Sequence, residues 1–514
     1  MIETIIDALS RQARERPAAP ALADGRERLN WGEVKAWVDR AAGWLRSCGL
    51  ARGAPVLGWL PNRVEWYLLR LACEQAGLFW IPVPASQGKR ELASIAGRVR
   101  PAVLATGTVF RDRDFDAMAD EICREHAIAP LRITLPKDGL LCLEGPVDDG
   151  RAALRPEEPA HALATTGTEG IPKLAVFSLA AACERAHAQA RLLRLVPEDI
   201  LLTLSPGVGP ARAAWLAAPV AGSCVLGLPA FGTDAAIEMI ERERPTVVCG
   251  TPTQLAILAA GLDRADFTSV RFWYTAGSVM PSTLAEDLER GTRGIVLSTY
   301  GGADFGGWAA PSPDDPAAVR RGTVGRPRGG TEFRIVDAEG RVLPRGTAGE
   351  LIGRGPCCAD GYFGGEGNES WRDGWFHTGD LAVFDGEGNI VIVGRLKEVI
   401  NRGGDNVSPS EVEALLRTLP GVTQVAVIGV PDPVLGERVC ACVVPAPGSN
   451  IQLVALRERL GSQGMAHFKL PEQLVLLDCL PVIGDKTDRR ALAALASSKS
   501  KNGGSGVKVV SMQG

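Results

Sequence analysis

The 514-residue sequence lacks several features that mark large classes of proteins. It has no long basic tract, and its 56 Lys+Arg are nearly balanced by 60 Asp+Glu, which argues against nucleic acid as a partner. No uninterrupted apolar run reaches the ~18 residues of a membrane-spanning helix, so no membrane partner is expected. The N-terminal stretch MIETIIDALSRQARERP has no apolar core of a signal peptide. Together these absences predict a cytoplasmic protein.

Metal-binding patterns are scarce as well. The 12 cysteines form no CxxC pair and the chain has only five histidines, so we do not expect a zinc site. Most cysteines should be buried free thiols that pack as small apolar residues.

Short apolar runs alternate with helical segments in the first half of the chain. The run PVLGWL at 55–60 precedes a helical segment, and LFWIPV at 78–83 follows it. Likewise, TVVCG at 246–250 and VRFWYTAG at 270–277 flank a helical stretch. This alternation predicts βαβ units and a parallel sheet, in which ligands bind in the loops at the carboxyl ends of the strands.

The second half has a different pattern. Residues 331–355 combine short strands with turn residues, which is typical of antiparallel β structure. After GRLK at 394–397, strands and helices indicate a compact α+β unit. We therefore predict an α/β fold with a large N-terminal domain of layered αβ sheets plus a β-barrel-like subdomain (1–394). A small mobile α+β C-terminal domain (395–495) and a flexible tail (496–514) should follow.

The stretch ATTGTEGIPK at 164–173 places hydroxyls, glycines and a lysine in a loop before an apolar run. Backbone N–H and hydroxyl groups of such a loop can surround phosphate oxygens, and the lysine adds positive charge. It is not a Walker motif, because no helix opens at GK[ST]. The alternative is an ordinary flexible surface loop.

Two later stretches place charged residues near tight turns. Asp380 lies in the TGD turn and Arg395 follows one strand later; together they could bind sugar hydroxyls, or form an Asx turn and a surface salt bridge. In LPVIGDKTDRRAL, Lys486 could reach a developing negative charge in another domain, or be an ordinary solvated lysine. Taken singly, neither stretch identifies a site.

In this order and spacing, the three stretches resemble the adenylate-forming superfamily, which contains acyl-CoA and aryl-CoA ligases, luciferases and peptide-synthetase adenylation domains. The resemblance covers about residues 1–495, nearly the whole chain. GRLKEVINRGGDNVSPSEVEALL is similar to the hinge and the start of the family's small domain. INRGGDNV and LGERVCACVVP are most similar to the aryl-acid branch.

The resemblance implies an AMP-forming acid–thiol ligase (acyl-CoA synthetase) that works in two steps. A carboxylate attacks the α-phosphate of MgATP and gives acyl-AMP and pyrophosphate. The small domain then rotates, and a thiol, usually that of coenzyme A, attacks the acyl-AMP. The implied cofactors are ATP/AMP, Mg²⁺ and coenzyme A, and the same resemblance suggests a homodimer. Because adenylation is a phosphoryl-type displacement, positioning and charge neutralisation should dominate its catalysis.

The resemblance also implies roles for individual residues. Lys486 would bridge the carboxylate and the α-phosphate, Tyr300 would stack on adenine, and Lys397 would be the hinge. Asp380 and Arg395 would hold the ribose. The implied phosphate loop consists of Thr165, Thr166, Gly167, Thr168, Gly170 and Lys173. Gly403 and Gly404 would line the path of pantetheine.

The segment STYGGADFGG departs from the family segment usually written Tyr-Gly-x-Thr-Glu. Gly301 and Ala303 belong to the predicted nucleotide site, but Ala303 takes the threonine position and removes a hydrogen bond of about 1.5–3 kcal/mol to phosphate. Asp304 takes the position of the magnesium-binding glutamate and is the predicted metal ligand and second catalytic residue. It is one CH₂ shorter, and Mg²⁺ tolerates geometric error poorly. Glu169 brings further negative charge near the phosphates.

The predicted acyl pocket has small residues where many members of the family carry a histidine or an aromatic residue. The segment LSPGVGPARAAW at 204–215 could leave a wider pocket for a bulky acid, or could simply be a rearranged loop. The predicted pocket residues are Val208, Gly209, Tyr274, Gly277, Gly302 and Trp308.

Three interpretations remain open at this point. The first is a full two-step acyl-CoA ligase for a bulky aromatic, alicyclic or polycyclic acid. The second is an adenylation-impaired enzyme that mainly converts a preformed acyl-AMP, supplied by an upstream adenylating enzyme, to its CoA thioester. The third is a catalytically inactive relative that binds acyl-AMP. In the enzyme interpretations, a carrier protein could also replace CoA as the acceptor.

Overall fold

The computed structural model describes residues 2–107, 109–110, 113–148, 150, 152–165, 173–205, 207, 209–365, 368–403, 405–483, 486–497 and 508–511. The chain divides into two compact units. The first comprises Met1–Phe333 and Gly353–His377, and the second comprises Arg334–Ile352 and Thr378–Gly514. The predicted boundary at residue 394 lies inside the second unit.

Two seven-stranded sheets form the layers of the first unit. Most neighbouring strands are parallel and buried on both faces, as the continuous apolar runs predict. One sheet contains, in spatial order, Ile295–Ser298, Phe272–Thr275, Val247–Gly250, Ile200–Thr203, Cys224–Gly227, Pro20–Ala23 and Arg28–Asn30. The other contains Gly361–Tyr362, Leu174–Ser178, Pro159–Ala164, Phe79–Pro84, Pro55–Leu60, Val103–Thr106 and Leu131–Thr134. These layers confirm the predicted α/β class.

Helices connect and cover these strands. The first helix begins with a capping box, in which the side chains of Thr4 and Asp7 bond to each other's backbone N–H. The α-helices of this unit are Ile5–Glu15, Trp31–Ser47, Val64–Ala76, Lys89–Val99, Phe115–Glu125, Leu179–Leu192, Arg212–Ala221, Thr233–Glu243, Pro252–Ala259, Ser282–Thr292 and Ala317–Gly322. Three short 3₁₀ turns lie at Gly209–Ala211, Phe363–Gly365 and Asn368–Ser370.

The strand pairs between residues 300 and 395 are antiparallel, as the turn-rich pattern at 331–355 predicts for that part of the chain. Tyr300–Gly301, Trp308–Ala310 and Arg326–Arg328 form a three-stranded sheet that carries the STYGGADFGG loop. Trp371–Arg372 pairs with the start of a later strand, and Val109–Phe110 pairs with Arg113–Asp114 in a separate hairpin. The chain passes between the two units within the strands Glu332–Val336, Gly349–Arg354 and Trp375–Phe384.

The second unit contains the predicted small α+β element. Its main sheet has the strands Asp405–Val407, Ile400–Arg402, Gly436–Pro445, Gln473–Leu476 and Lys508–Ser511 in spatial order, with Val422–Asp432 paired to Gly436–Pro445. Its helices are Pro409–Leu416, Leu453–Ser462 and Arg489–Ser497, with 3₁₀ turns at Leu396–Glu398 and His467–Lys469. The strand Ile390–Arg395 precedes this sheet, and Val482–Ile483 pairs with Lys486–Thr487.

The last strand lies inside the segment predicted to be a flexible tail. Lys508–Ser511 pairs antiparallel with Gln473–Leu476, so this part of the tail extends the sheet. Two consecutive valines give the segment the β-branched composition that suits a strand, which the polar residues before it obscured.

The described residues contain no helix that is both long and apolar enough to cross a membrane.

Candidate active site

The predicted phosphate loop connects two antiparallel strands, Pro159–Ala164 and Leu174–Ser178. Its two ends are held together by hydrogen bonds. Thr165 donates its backbone N–H to the carbonyl of Lys173 at 2.8 Å, and Lys173 donates its backbone N–H to Thr165 Oγ1 at 3.2 Å. The structure therefore brings the first and last residues of the predicted loop together. Outside the described residues lie Thr166, Gly167, Thr168, Glu169 and Gly170.

Charged groups from separate elements surround Tyr362 beside this loop. Lys173 Nζ lies 3.4 Å from Glu369 Oε1 and 5.3 Å from the centroid of the Tyr362 ring. Burial raises the pKa of Tyr362, and the charges of Asp304 and Glu369 raise it further. Lys173 and Asp304, predicted separately, thus both act on the same tyrosine. Sequence analysis missed Tyr362 and Glu369, because nothing in the glycine-rich GYFGGEGNES stretch marks which residues face the loop.

The loop that follows Tyr300 is shaped by close packing. The Tyr300 ring is half-buried and packs edge-on against Phe333, with 6.0 Å between the ring centroids. A Cβ atom at Gly302 would lie 2.2 Å from Asp304 Oδ1, so only glycine allows this position of the carboxylate. The exposed residues of the loop include Gly301 and Ala303.

The predicted ribose pair is assembled in the second unit. Asp380 and Arg395 lie opposite each other on antiparallel strands, and Arg395 Nε is 2.7 Å from Asp380 Oδ1. The Asp380 side chain is 10% exposed and that of Arg395 is 52% exposed, so the carboxylate is held in place beside a solvent-facing guanidinium. Gly379 has φ +68° and donates its N–H to Glu350 Oε1 at 3.1 Å, which fixes the preceding turn.

The remaining predicted residues of the second unit are placed only in part. Lys397 is exposed in a short 3₁₀ turn just after Arg395. Gly403 has φ +61° and donates its N–H to the Leu435 carbonyl at 2.7 Å, a conformation that favours glycine. Gly404 lies outside the described residues, and so does the side chain of Lys486, whose backbone belongs to a short hairpin.

The predicted pocket residues divide into buried aromatics and open glycines. Tyr274 is 1% exposed and Trp308 is fully buried. Gly277 has φ +99°, and a Cβ there or at Gly209 would meet no atom within 4 Å, so both glycines border open space. Val208 lies outside the described residues.

A buried cation that sequence analysis missed contacts these aromatics. The guanidinium of Arg185 lies 4.1 Å from the Trp308 ring centroid and donates to the Gly306 carbonyl at 2.9 Å. The hydroxyl of Tyr274 lies near this guanidinium and accepts a hydrogen bond from Gln189 Nε2 at 3.2 Å. An apolar helix face predicts a residue that packs, and gives no signal that an arginine in ACERAHAQARL points inward.

A second missed arginine lies in the same interior. Arg212 stacks over Phe177 at 4.2 Å, and its Nη2 lies 3.3 Å from His161 Nε2. The His161 ring stacks on Phe177 and meets Trp215 edge-on, each at 5.1 Å between centroids. Burial, and next the charge of Arg212, lower the pKa of His161 well below its usual value, so this imidazole is neutral at pH 7.

The layered α/β sheets, the joined ends of the predicted phosphate loop and the following α+β unit fit the adenylate-forming enzymes that the sequence resembles. The chain belongs to the AMP-binding enzyme family, whose sequence model matches residues 9–363. The model of the AMP-binding enzyme C-terminal domain matches residues 411–485.

Known proteins match the chain over nearly its whole length. It is 31% identical to a 2-hydroxy-7-methoxy-5-methyl-1-naphthoate–CoA ligase of Streptomyces carzinostaticus, over 96% of this chain and 93% of that protein. It is 32% identical to a salicyl-AMP ligase/salicyl-S-ArCP synthetase of Mycobacterium tuberculosis, over 95% and 90% of the two chains. The crystal structure of ATP-bound MatB from Rhodopseudomonas palustris is 25% identical and superposes with a TM-score of 0.86, over 97% and 99%.

These matches confirm the predicted family and enzyme class. The protein is an adenylate-forming, AMP-forming acid–thiol ligase of the acyl-CoA synthetase class.

Proposed function

We propose that the protein activates a bulky aromatic, alicyclic or polycyclic carboxylic acid as its acyl-AMP and then transfers the acyl group to coenzyme A. The observation that carries the proposal is that Lys173, whose backbone bonds to Thr165 at the end of the predicted phosphate loop, lies over the Tyr362 ring, and that the charge of Asp304 also raises the pKa of Tyr362. A cation and a carboxylate at one phosphate loop suit MgATP. The naphthoate–CoA ligase and the salicyl-AMP ligase to which the chain is similar support an aromatic acid.

In the adenylation step, Lys173 and the phosphate loop bind the triphosphate and neutralise its charge. Tyr300 offers its half-buried ring to adenine, and Asp380 accepts hydrogen bonds from the ribose hydroxyls while Arg395 holds that carboxylate. Lys486 then stabilises the charge that develops between the attacking carboxylate and the α-phosphate.

The carboxylate of Asp304 suits a magnesium ion. The described residues contain no cluster of three or more metal-ligating side chains, and Mg²⁺ commonly takes one or two carboxylates and completes its shell with phosphate oxygens and water. Bound Mg²⁺ would neutralise charge on the leaving pyrophosphate. Gly302 fits this role, because its missing side chain leaves the space that Asp304 Oδ1 occupies.

For the second step we propose that residues 1–394 and 395–495 act as two domains and that Lys397 is the hinge between them. Gly403 and Gly404 would then line the path of pantetheine. The glycine-favouring φ of +61° at Gly403 supports a backbone that has no side chain in this path.

A second candidate function is thioester formation from a preformed acyl-AMP. The specific observation that favours it is the exposed methyl group of Ala303, which cannot donate a hydrogen bond to pyrophosphate oxygens. This enzyme would depend on an upstream adenylating enzyme. The match to a salicyl-S-ArCP synthetase also keeps a carrier protein as an alternative acceptor.

Acid-dependent exchange of labelled pyrophosphate into ATP tests the proposal. We expect robust exchange with aromatic acids and formation of the CoA thioester when CoA is added. Exchange that is absent while synthetic acyl-AMP and CoA still react would favour the second candidate. If the thioester forms with a pantetheinylated carrier protein but not with CoA, the acceptor is the carrier protein. Lys486→Ala should lose exchange and keep thioester formation, whereas Lys469→Ala in the same unit serves as the control.

A further inference from the structure

The buried arginines of the described chain fall into two pairs. The first pair has acidic partners: Arg63 Nη2 lies 2.8 Å from Glu65 Oε1, and Arg70 Nη2 lies 2.6 Å from Glu74 Oε2. The second pair, Arg185 and Arg212, forms no ion pair with any carboxylate that the structure describes.

The second pair also leaves donors unused. A guanidinium carries five N–H groups, yet the described hydrogen bonds are one from Arg212 to the imidazole of His161 and one from Arg185 to the Gly306 carbonyl. The Nε atoms of both arginines are buried without a hydrogen-bond partner in the described structure. Buried charges and donors of this kind are costly unless something binds them.

The imidazole of His161 adds another donor to this cluster. Arg212 can only donate, so His161 Nε2 must accept from it, and the proton of the neutral ring then resides on Nδ1. His161 Nδ1 is buried and has no partner among the described atoms.

Both arginines nevertheless stay charged at neutral pH. Burial lowers the pKa of Arg212 to about 9, and the charge of Arg185 adds to this effect, so the two guanidinium groups lie close enough to repel each other. Burial also lowers the pKa of Arg185. The cluster is thus a buried site with two positive charges.

This site adjoins the predicted acyl pocket. Arg185 stacks on Trp308 and lies near Tyr274, and both aromatic residues belong to the predicted pocket. Asp304, whose charge raises the pKa of Tyr362, and Gly306, whose carbonyl accepts a hydrogen bond from Arg185, belong to the same loop. An acid that lies along this loop would have its reacting carboxylate at the phosphate side and its far end near the arginines.

We propose that Arg185 and Arg212 bind a second anionic oxygen group on the acid substrate, a carboxylate or an acidic phenol at the end remote from the reacting carboxylate. The inference deepens the proposed function, on which it rests, by naming the substrate class. Guanidinium groups match planar carboxylates with paired hydrogen bonds, and one bound anion would offset one of the two positive charges and could accept hydrogen bonds from the free Nε donors.

Shape-matched acids provide the test. Benzene and naphthalene dicarboxylic acids are compared with the nitro acids in which the neutral, planar NO₂ group replaces the second carboxylate. Acids that carry an acidic phenol are compared with their methoxy analogues, and this second comparison shows whether the remote group that binds is a phenol or a carboxylate. Two quantities are measured in chloride-free buffer: the kcat/KM of acid-dependent pyrophosphate exchange, and the shift of the thermal unfolding midpoint, which requires binding but no turnover.

We expect the anionic member of at least one matched pair to be preferred by about 10- to 100-fold, as for hydrogen bonds to charged groups. Arg212→Met and Arg185→Met should bring that preference close to unity while the neutral analogue is still used. The control Arg191→Met removes an exposed charge from the helix that carries Arg185 and should keep the preference for the anionic acid. If neither arginine variant folds, the comparison of anionic and neutral acids in the wild-type protein tests the proposed anion site.

Equal use of the anionic and neutral members in all pairs would overturn the inference and leave the ligase function intact. A chloride-induced rise in the unfolding midpoint that matches that of the diacids would also overturn it, because the site would then be a halide site. Conversely, a diacid-specific thermal shift that Arg212→Met abolishes, without exchange for any acid, would support the inference and contradict the proposed function.

Discussion

Two regions of the first unit bury arginines in opposite ways. Arg63 and Arg70 lie on or next to the helix Val64–Ala76, and each has a buried carboxylate within 2.8 Å. Arg185 and Arg212 contact aromatic rings, a carbonyl and an imidazole, but no described carboxylate.

The difference separates charges that the fold neutralises from charges that it leaves for a ligand. A buried ion pair is nearly neutral in total, so it can persist in a core of packed helices. An unpaired buried cation lowers stability, and proteins retain such features mainly where function needs them. We therefore propose that the residues around Arg185 determine which acid the enzyme selects.

The largest expected effect comes from breaking the paired region. Arg70→Met keeps the unbranched stem but leaves Glu74, which is 4% exposed, with an uncompensated charge. We expect the free energy of unfolding to fall by about 3–5 kcal/mol, measured by denaturant titration. A loss below about 1 kcal/mol would show that the pair is not held as tightly as the 2.6 Å contact indicates.

A smaller, pH-dependent effect should appear in the unpaired region. Burial, then Arg212 and Arg70, lower the pKa of His161 in the folded state, so the unfolded chain binds the proton more readily. The stabilisation is complete above the unfolded pKa of about 6.5 and is lost as the pH falls below it. Between pH 6.5 and 5, the free energy of unfolding of the wild-type protein should fall by up to about 1.4 kcal/mol per pH unit more than that of His161→Gln. Parallel pH profiles of the two proteins would contradict this.

The smallest effect belongs to an exposed pair at the phosphate loop. Lys173 and Glu369 are 37% and 72% exposed, and water and salt screen their attraction. Glu369→Gln should therefore leave the thermal midpoint unchanged within measurement error. A clear drop would show that this pair also stabilises the fold, and would weaken the contrast between exposed and buried charges.

Much of the architecture could be predicted from the sequence because it depends on short-range patterns. The runs PVLGWL and TVVCG predict buried parallel strands, and the structure has strands at Pro55–Leu60 and Val247–Gly250. The family resemblance predicts that Asp380 and Arg395 act together, and the structure pairs them at 2.7 Å. The strand Lys508–Ser511 was missed, because pairing with Gln473–Leu476 stabilises a segment whose sequence neighbours are polar.

The arginine cluster could not be predicted either, because it depends on contacts between elements that are distant in the sequence. Arg185 and Arg212 are 27 positions apart in the sequence and lie on different helices, and their partner groups come from still other elements. Helical periodicity does not tell whether an arginine faces solvent or lies in the interior, because its long stem can pack while its head reaches a polar neighbour. Only the folded chain reveals that none of the described carboxylates forms an ion pair with them.

The most direct test of this account compares the free energies of unfolding of Arg212→Met and Arg70→Met without ligand in chloride-free buffer. If Arg212 is held for a substrate anion, Arg212→Met should be at least as stable as wild type, because it removes an uncompensated buried charge, whereas Arg70→Met should be less stable by several kcal/mol. A loss of stability in Arg212→Met as large as that in Arg70→Met would contradict the account, because Arg212 would then serve the fold.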